Sequence, residues 1–235
     1  MNVAVLGGGS WGTTVASMVA RNTPVTLWAR KRATVDEINH SHSNKTYLPG
    51  ATLNDKLVAA ADIADAVCNA DLVVMAIPSQ SFRQVLLEVK EHVRAWVPVI
   101  SLTKGLELDT RMRMTEIINE VLPGHPAGVL TGPNLAREIM SGHAAASVLA
   151  MEDAIIVQEL QGVFMNGLFR VYTNTDVIGC ELGGVLKNII AIAVGMGDGQ
   201  GAGDNTRSAL ITRGLAEVTR LGVAMGGQAE TFAGL

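Results

Sequence analysis

A chain of 235 residues, 48% hydrophobic and 17% charged, has the apolar mass for one large globular domain or two smaller ones. Its formal net charge of -4 argues against generic nucleic-acid binding, which carries a basic excess. The two cysteines, Cys68 and Cys180, lie far apart in apolar settings and form neither a metal-ligand pattern nor a disulfide framework, so no metal and a reducing, cytoplasmic setting are expected.

The first apolar run, Val3-Ala4-Val5-Leu6, is only a few residues long and follows no basic segment. It reads as a strand over residues 2–6 and not as a signal peptide. It enters the turn Gly7-Gly8-Gly9-Ser10-Trp11-Gly12, and a helix is predicted from Trp11 to about Arg21. Gly7 allows the sharp turn, Gly9 lets backbone N–H groups approach a pyrophosphate, and Gly12 permits close helix–strand packing. The helix N-terminus then presents its positive dipole end to the phosphates. The spacing alone is weak, but a strand before it and a helix after it make the dinucleotide reading strong.

Further strands are predicted at 24–28, 57–60, 72–77, 97–102, 128–131, 147–150 and 169–173. Most are short, rich in valine, leucine or isoleucine, and apolar on both faces, as in a parallel sheet covered by helices. Helical patterns alternate with them. In one, Phe82, Val85, Leu86 and Val89 form a single stripe, with Ser79 or Ser81 expected as N-cap. Such alternation predicts a Rossmann-type, doubly wound α/β domain over residues 1–174.

After Asn174 the strand signal ends. Asp176 is expected to cap a helix running to about Gly195, followed by a glycine-rich turn, Gly197 to Asn205, and a second helix from Thr206 to Leu221. Residues 175–235 thus read as the start of an all-helical domain. Within it the apolar stretch 185–196 is too short to span a bilayer and predicts a buried helix without a membrane span. Two helices bury little surface, so either a homodimer covers their apolar faces or the chain is a piece of something longer.

The second strand runs into Ala29-Arg30-Lys31-Arg32 and lacks the carboxylate that would bind a ribose 2′-hydroxyl. Cations there suit a 2′-phosphate, so NADP(H) is favoured, with NAD(H) as the alternative cofactor and Arg30 ahead of Lys31 as the binding group. A solvated basic first helical turn is the plainer reading, weakened because cations are unfavourable at a helix N-terminus. Three later strand ends place polar groups where α/β sheets bind ligands. Ile77-Pro78-Ser79 reads equally as a structural turn. Lys104 follows a buried strand and reads as a ligand group or a surface lysine. Gly132 and Asn134 open a helix at 135–140.

In Gly183-Gly184-Val185-Leu186-Lys187-Asn188, the residues three or four from Lys187 are small or apolar. A lysine in such a row, once covered, is desolvated and can exchange a proton near neutral pH. Equally, Lys187 could snorkel out of a helix that packs through its glycines.

Together these blocks, with Tyr47-Leu48-Pro49-Gly50, Thr103-Lys104-Gly105-Leu106-Glu107, Leu130-Thr131-Gly132-Pro133 and Thr212-Arg213-Gly214-Leu215-Ala216-Glu217, resemble the bacterial NAD(P)-dependent glycerol-3-phosphate dehydrogenase family along essentially the whole chain. The resemblance implies interconversion of sn-glycerol 3-phosphate and dihydroxyacetone phosphate, feeding phospholipid synthesis. It implies cofactor contacts from Ser10, Trp11, Arg30, Lys31, Lys104 and Ala136, and substrate contacts from Lys104, Gly132, Asn134 and Lys187. It implies that Lys187 is the general acid/base. Asn134 departs from the serine usual in the family. The family also continues for roughly a further hundred residues, a domain-scale piece, with an aspartate and a Ser-Arg-Asn group that bind substrate and cofactor. Weak turnover of this chain is therefore expected. The alternatives are a related Rossmann-plus-helical reductase of another hydroxy or keto substrate, and a non-catalytic NADP-binding fragment.

Overall fold

In the computed structural model, which describes residues 1–234, the order of elements is β1 (Val3–Leu6), α1 (Ser10–Val19), β2 (Val25–Trp28), α2 (Arg32–Ser41), β3 (Val58–Ala60), α3 (Ile63–Val67), β4 (Leu72–Met75), α4 (Ser79–Lys90), β5 (Val99–Ser101), α5 (Met114–Val121), β6 (Ala127–Thr131), α6 (Ala136–Met140), β7 (Ala145–Met151), α7 (Ala154–Phe164) and β8 (Phe169–Asn174). Three helices follow: α8 (Val177–Gly199), α9 (Asp204–Ala224) and α10 (Ala229–Ala233). The chain divides into two units, Met1–Thr175 and Asp176–Leu235; Leu235, the last residue of the expected second domain, lies outside the described residues.

The first unit holds an eight-stranded sheet in the order β3-β2-β1-β4-β5-β6-β7-β8. Its pairs are parallel except β6–β7, which is antiparallel, so the uniformly parallel sheet expected from the apolar strands is corrected at this one pair. An antiparallel pair can have both faces covered as well, so composition alone does not mark it. Because strand side chains alternate, each strand feeds two cores. Val3 and Val5 join Val15, Val19 and Leu27 on one face, while Ala4 and Leu6 join Met75, Phe82 and Leu86 on the other. Burying each of the larger side chains contributes about 1.5–3 kcal/mol.

The chain winds outward from β1 to β2 and β3, then crosses to β4 on the other side of β1. This reversal is a topological switch point, where a crevice opens at the carboxyl ends of the strands. The backbone stitches it closed beneath: Gly7 N–H donates to the Trp28 carbonyl at 3.0 Å and Ala76 N–H to the Leu6 carbonyl at 2.8 Å. One end-cap differs from expectation. Pro78 occupies the N-cap of α4 and Ser79 its first turn, with no side-chain cap. Proline's fixed φ and missing N–H suit a helix start, which removes the need for a serine cap.

In the second unit Asp176 caps α8 as its sequence predicts, accepting from Gly179 N–H at 2.8 Å. Its second carboxylate oxygen accepts from Gln228 N–H at 2.8 Å and Thr231 hydroxyl at 2.6 Å, so one buried acid ties the starts of α8 and α10 together. The helix α10 was not foreseen. Its Phe232 ring packs so tightly on α9 that a Cβ at Gly222 would stand 2.0 Å from the ring. The expected glycine turn also shifts: α8 runs through Gly197 to Gly199, and the break falls at residues 200–203. With 23 residues and a mean hydropathy of 1.8 over its most apolar window, α8 is long and apolar enough to cross a membrane, and only 28% of that window is buried. The buried helix expected at 185–196 is therefore corrected: Ile189, Ile192 and Met196 are exposed.

Candidate functional site: a cleft at the switch point

Gly7 has φ +125°, a conformation that favours glycine, and a Cβ there would meet the Ala76 carbonyl oxygen at 2.3 Å. A Cβ at Gly12 would stand 2.0 Å from the Gly7 carbonyl oxygen. The first helix can approach the first strand this closely only without those side chains. Gly9 differs: a Cβ there would meet nothing within 4 Å. The backbone N–H groups of Gly9, Ser10 and Trp11 have no hydrogen-bond partner among the described residues, and α1 has no side-chain cap. Unpaired donors at a helix start, facing open space, form a cradle for an anion.

This cradle floors a cleft of about 800 Å³ lined by Gly7, Gly9, Ser10, Trp11, Gly12, Arg30, Lys31, Pro78, Ser79 and Lys104, all within the first unit. The cleft thus gathers eight of the candidate cofactor residues. Arg30 and Lys31 are both exposed at its edge, whereas Arg32 turns to a neighbouring hollow beside Asp62 and His92. Trp11 has a second task, its ring lying 6.3 Å from that of Phe169. Tyr47, Thr34, Gln84 and Thr103 also line the cleft. Sequence reasoning did not select them as site residues, although Tyr47 and Thr103 stood in quoted blocks.

Across the strand ends, the Lys104 ammonium donates to the Gly132 carbonyl at 2.8 Å, which joins two of the candidate substrate residues. Asn134 lies on the same loop as Gly132, its Oδ1 accepting from the Ser147 hydroxyl at 2.8 Å while its buried Nδ2 has no hydrogen-bond partner among the described residues. Gly132 itself admits no side chain, since a Cβ would come within 2.7 Å of the Ala146 carbonyl oxygen. Ala136 is half-buried against the core and does not line the cleft.

The segment after Lys104 is clamped to α4. Arg83 grips the Glu107 carboxylate at 2.8 and 2.9 Å and Glu120 at 2.7 Å. The Arg83 guanidinium, together with the Thr110 hydroxyl, holds the Glu107 carboxyl down at about 2. A carboxyl whose native pKa is depressed stabilises the fold fully above its ordinary value of 4.5 and loses that contribution as pH falls toward 2. We expect Glu107→Gln to lower stability by about 1 kcal/mol at neutral pH, with the difference from the parent chain shrinking below pH 4. Thermal unfolding across that range checks it; an unchanged gap at acid pH would contradict the assignment.

In the second unit Lys187 is exposed on α8, with Gly183, Gly184 and Ile190 of its row half-buried. Cys68 is exposed and Cys180 buried, which corrects the apolar setting expected of Cys68. Burial, helped by the Asp176 carboxylate, pushes the Cys180 thiol up to about 12, so it stays protonated.

Residues 2–156 match the family described as NAD-dependent glycerol-3-phosphate dehydrogenase N-terminus, and residues 176–235 match its C-terminus. The chain is 69% identical over 235 residues to glycerol-3-phosphate dehydrogenase [NAD(P)+] 2 of Sphingopyxis alaskensis, covering 100% of itself and 71% of that protein. It is 56% identical to glycerol-3-phosphate dehydrogenase [NAD(P)+] of Mycobacterium avium, covering 99% of itself and 69% of the relative. A crystal structure of glycerol-3-phosphate dehydrogenase from Coxiella burnetii superposes with a TM-score of 0.93 at 37% identity, over 100% of this chain and 72% of that one.

Proposed function

The chain belongs to the NAD-dependent glycerol-3-phosphate dehydrogenase family, and from that premise we propose what its residues do. It is an NAD(P)-dependent oxidoreductase that interconverts sn-glycerol 3-phosphate and dihydroxyacetone phosphate. The observation that carries the reading is the switch-point cleft, whose floor is open at Gly9 while Gly7 and Gly12 are filled to contact. A dinucleotide fits there. Gly9, Ser10 and Trp11 would take its pyrophosphate on backbone N–H groups, and Arg30 and Lys31 its 2′-phosphate.

The bound reduced dinucleotide supplies a hydride for the carbonyl carbon of the substrate. Lys187 donates a proton to the carbonyl oxygen in that direction and takes it back in the other. Lys104, Gly132 and Asn134 hold the phosphorylated substrate. The Lys104–Gly132 contact supports this role, since it fixes a cation at the strand ends, where it stabilises negative charge. Ala136 contributes to cofactor binding from the start of α6. The first unit is the dinucleotide-binding domain and the second the substrate and catalytic domain. The enzyme works in the cytoplasm and supplies glycerol 3-phosphate to phospholipid synthesis. Lys187 and Asn188 near the middle of α8 support an enzyme helix over a membrane span. The exposed Ile211, Leu215 and Leu221 of α9 support self-association as a homodimer.

The test is a titration of NADPH and NADH combined with a dihydroxyacetone phosphate reduction assay. We expect the parent chain to bind NADPH and to oxidise it slowly, and only when dihydroxyacetone phosphate is present. Replacing Arg30 and Lys31 together by alanine is expected to weaken NADPH about tenfold and NADH less than threefold. Equal losses for both nucleotides would refute the 2′-phosphate assignment. Oxidation with a different keto acid, but none with dihydroxyacetone phosphate, would favour another reductase.

A further inference from the structure

Asn44 is fully buried behind the glycine turn and is not part of the cleft lining. Its Nδ2 donates to the Gly8 carbonyl at 3.0 Å and to Thr13 Oγ1 at 2.9 Å. A carbonyl only accepts, so the amide nitrogen must face Gly8. No peptide bond among the described residues is cis. In a trans peptide the N–H points opposite to the preceding C=O. Holding the Gly8 carbonyl toward Asn44 therefore turns the Gly9 N–H to the opposite side, away from the interior.

We propose that Asn44 is a positioning residue. It fixes the Gly8–Gly9 peptide plane so that the Gly9 N–H is already aimed at the pyrophosphate of an incoming dinucleotide. The proposal rests on the dinucleotide reading above. A second observation separates it from simple packing. The Asn44 Oδ1 is buried without a hydrogen-bond partner among the described residues. An unpaired buried acceptor is costly, so a residue needed only to fill this space would be an apolar one of the same size, such as leucine. Both of its donor hydrogens are used, one on the turn and one on the helix that follows it. Its own carbonyl accepts from Leu48 N–H at 2.7 Å, and Leu48 is buried, so the amide is anchored from behind.

The experiment compares the parent chain with Asn44→Leu and Asn44→Asp. Three probes are titrated: NADPH, 2′-phospho-ADP-ribose, which keeps the pyrophosphate, and 2′-AMP, which lacks it. Asn44→Leu is expected to weaken the first two about tenfold and 2′-AMP less than twofold. Asn44→Asp carries the same test in a polar side chain. At neutral pH its carboxylate cannot donate to Gly8, and affinity for the two pyrophosphate probes falls similarly. As pH is lowered and the carboxyl gains a proton, affinity relative to the parent chain recovers. Equal loss for all three probes, or no loss for any, overturns the proposal. Failure of the parent chain to bind NADPH overturns the dinucleotide reading and the proposal with it, whereas an effect confined to the variants bears on Asn44 alone.

Discussion

Lys187→Ala is expected to lower the rate of dihydroxyacetone phosphate reduction by about 10² to 10⁴-fold and to leave NADPH affinity within twofold of the parent chain. The carbonyl oxygen gains negative charge as the carbon is reduced, and a positioned acid that delivers a proton in that transition state is worth this much. Lys187 is exposed on α8, and the half-buried Gly183, Gly184 and Ile190 share its row. Lys187→Arg separates the two contributions a lysine makes. Arginine keeps the charge but does not release a proton at neutral pH. If proton transfer is the task, the arginine variant stays within tenfold of the alanine variant; if charge alone matters, it recovers most of the rate. Steady-state rates, with NADPH affinity measured separately by fluorescence, decide between them. An alanine variant within threefold of the parent rate would remove Lys187 from the chemistry.

The eight strands were legible because each is a short apolar run between turn residues, and such runs mark their own ends. Their observed bounds differ from expectation by a few residues, as at β4, predicted as 72–77 and observed as Leu72–Met75. The antiparallel β6–β7 pair was not legible, since Val148 and Leu149 are as apolar as a buried parallel strand requires. Glycine misled the reading of the second unit. Gly197 and Gly199 look like a turn by propensity, yet a helix of 23 residues carries them, each at a cost of about 1 kcal/mol relative to alanine. Close packing accounts for Gly214 of α9, where a Cβ would stand 2.8 Å from Ile190, but not for Gly199 of α8, where a Cβ would meet nothing within 4 Å.

At the site, legibility followed chemistry that is local in sequence. Glycines, helix start and cations all lie within residues 7–31, so strand–turn–helix logic found them. Asn44 lies 36 residues from Gly8 and its role exists only through the fold. No spacing or residue pattern announces a buried amide that reaches back to a turn. Glu107 is similar: its sequence shows a polar loop, and only the fold brings Arg83 to it.

Gly7, Gly9 and Gly12 of the turn make a sharper test together than any of them alone, because the same substitution should do opposite things. In Gly12→Ala the new Cβ lies 2.0 Å from the Gly7 carbonyl oxygen and 2.8 Å from Ala76 Cβ. Neither neighbour is the end of a flexible chain, so α1 must move off β1, and overpacking of this kind costs about 3 kcal/mol or more. In a chain of this size that lowers the unfolding midpoint by about 6–12 °C. Gly7→Ala adds a backbone penalty, since φ +125° is strained for any other residue. Gly9→Ala has neither problem. Its φ of -75° and ψ of 178° are extended backbone, and the methyl group enters open space. The unfolding midpoint is therefore expected to stay within about 3 °C, while NADPH affinity falls at least tenfold, because the methyl occupies the approach to the N–H groups of α1. Calorimetric unfolding and NADPH titration of the same three variants read both effects. Affinity lost at Gly12 in proportion to stability, with affinity lost at Gly9 without it, is the pattern of a turn whose outer glycines build the fold and whose middle one is kept bare for the ligand. A Gly9→Ala chain that binds NADPH as the parent does would move the pyrophosphate elsewhere.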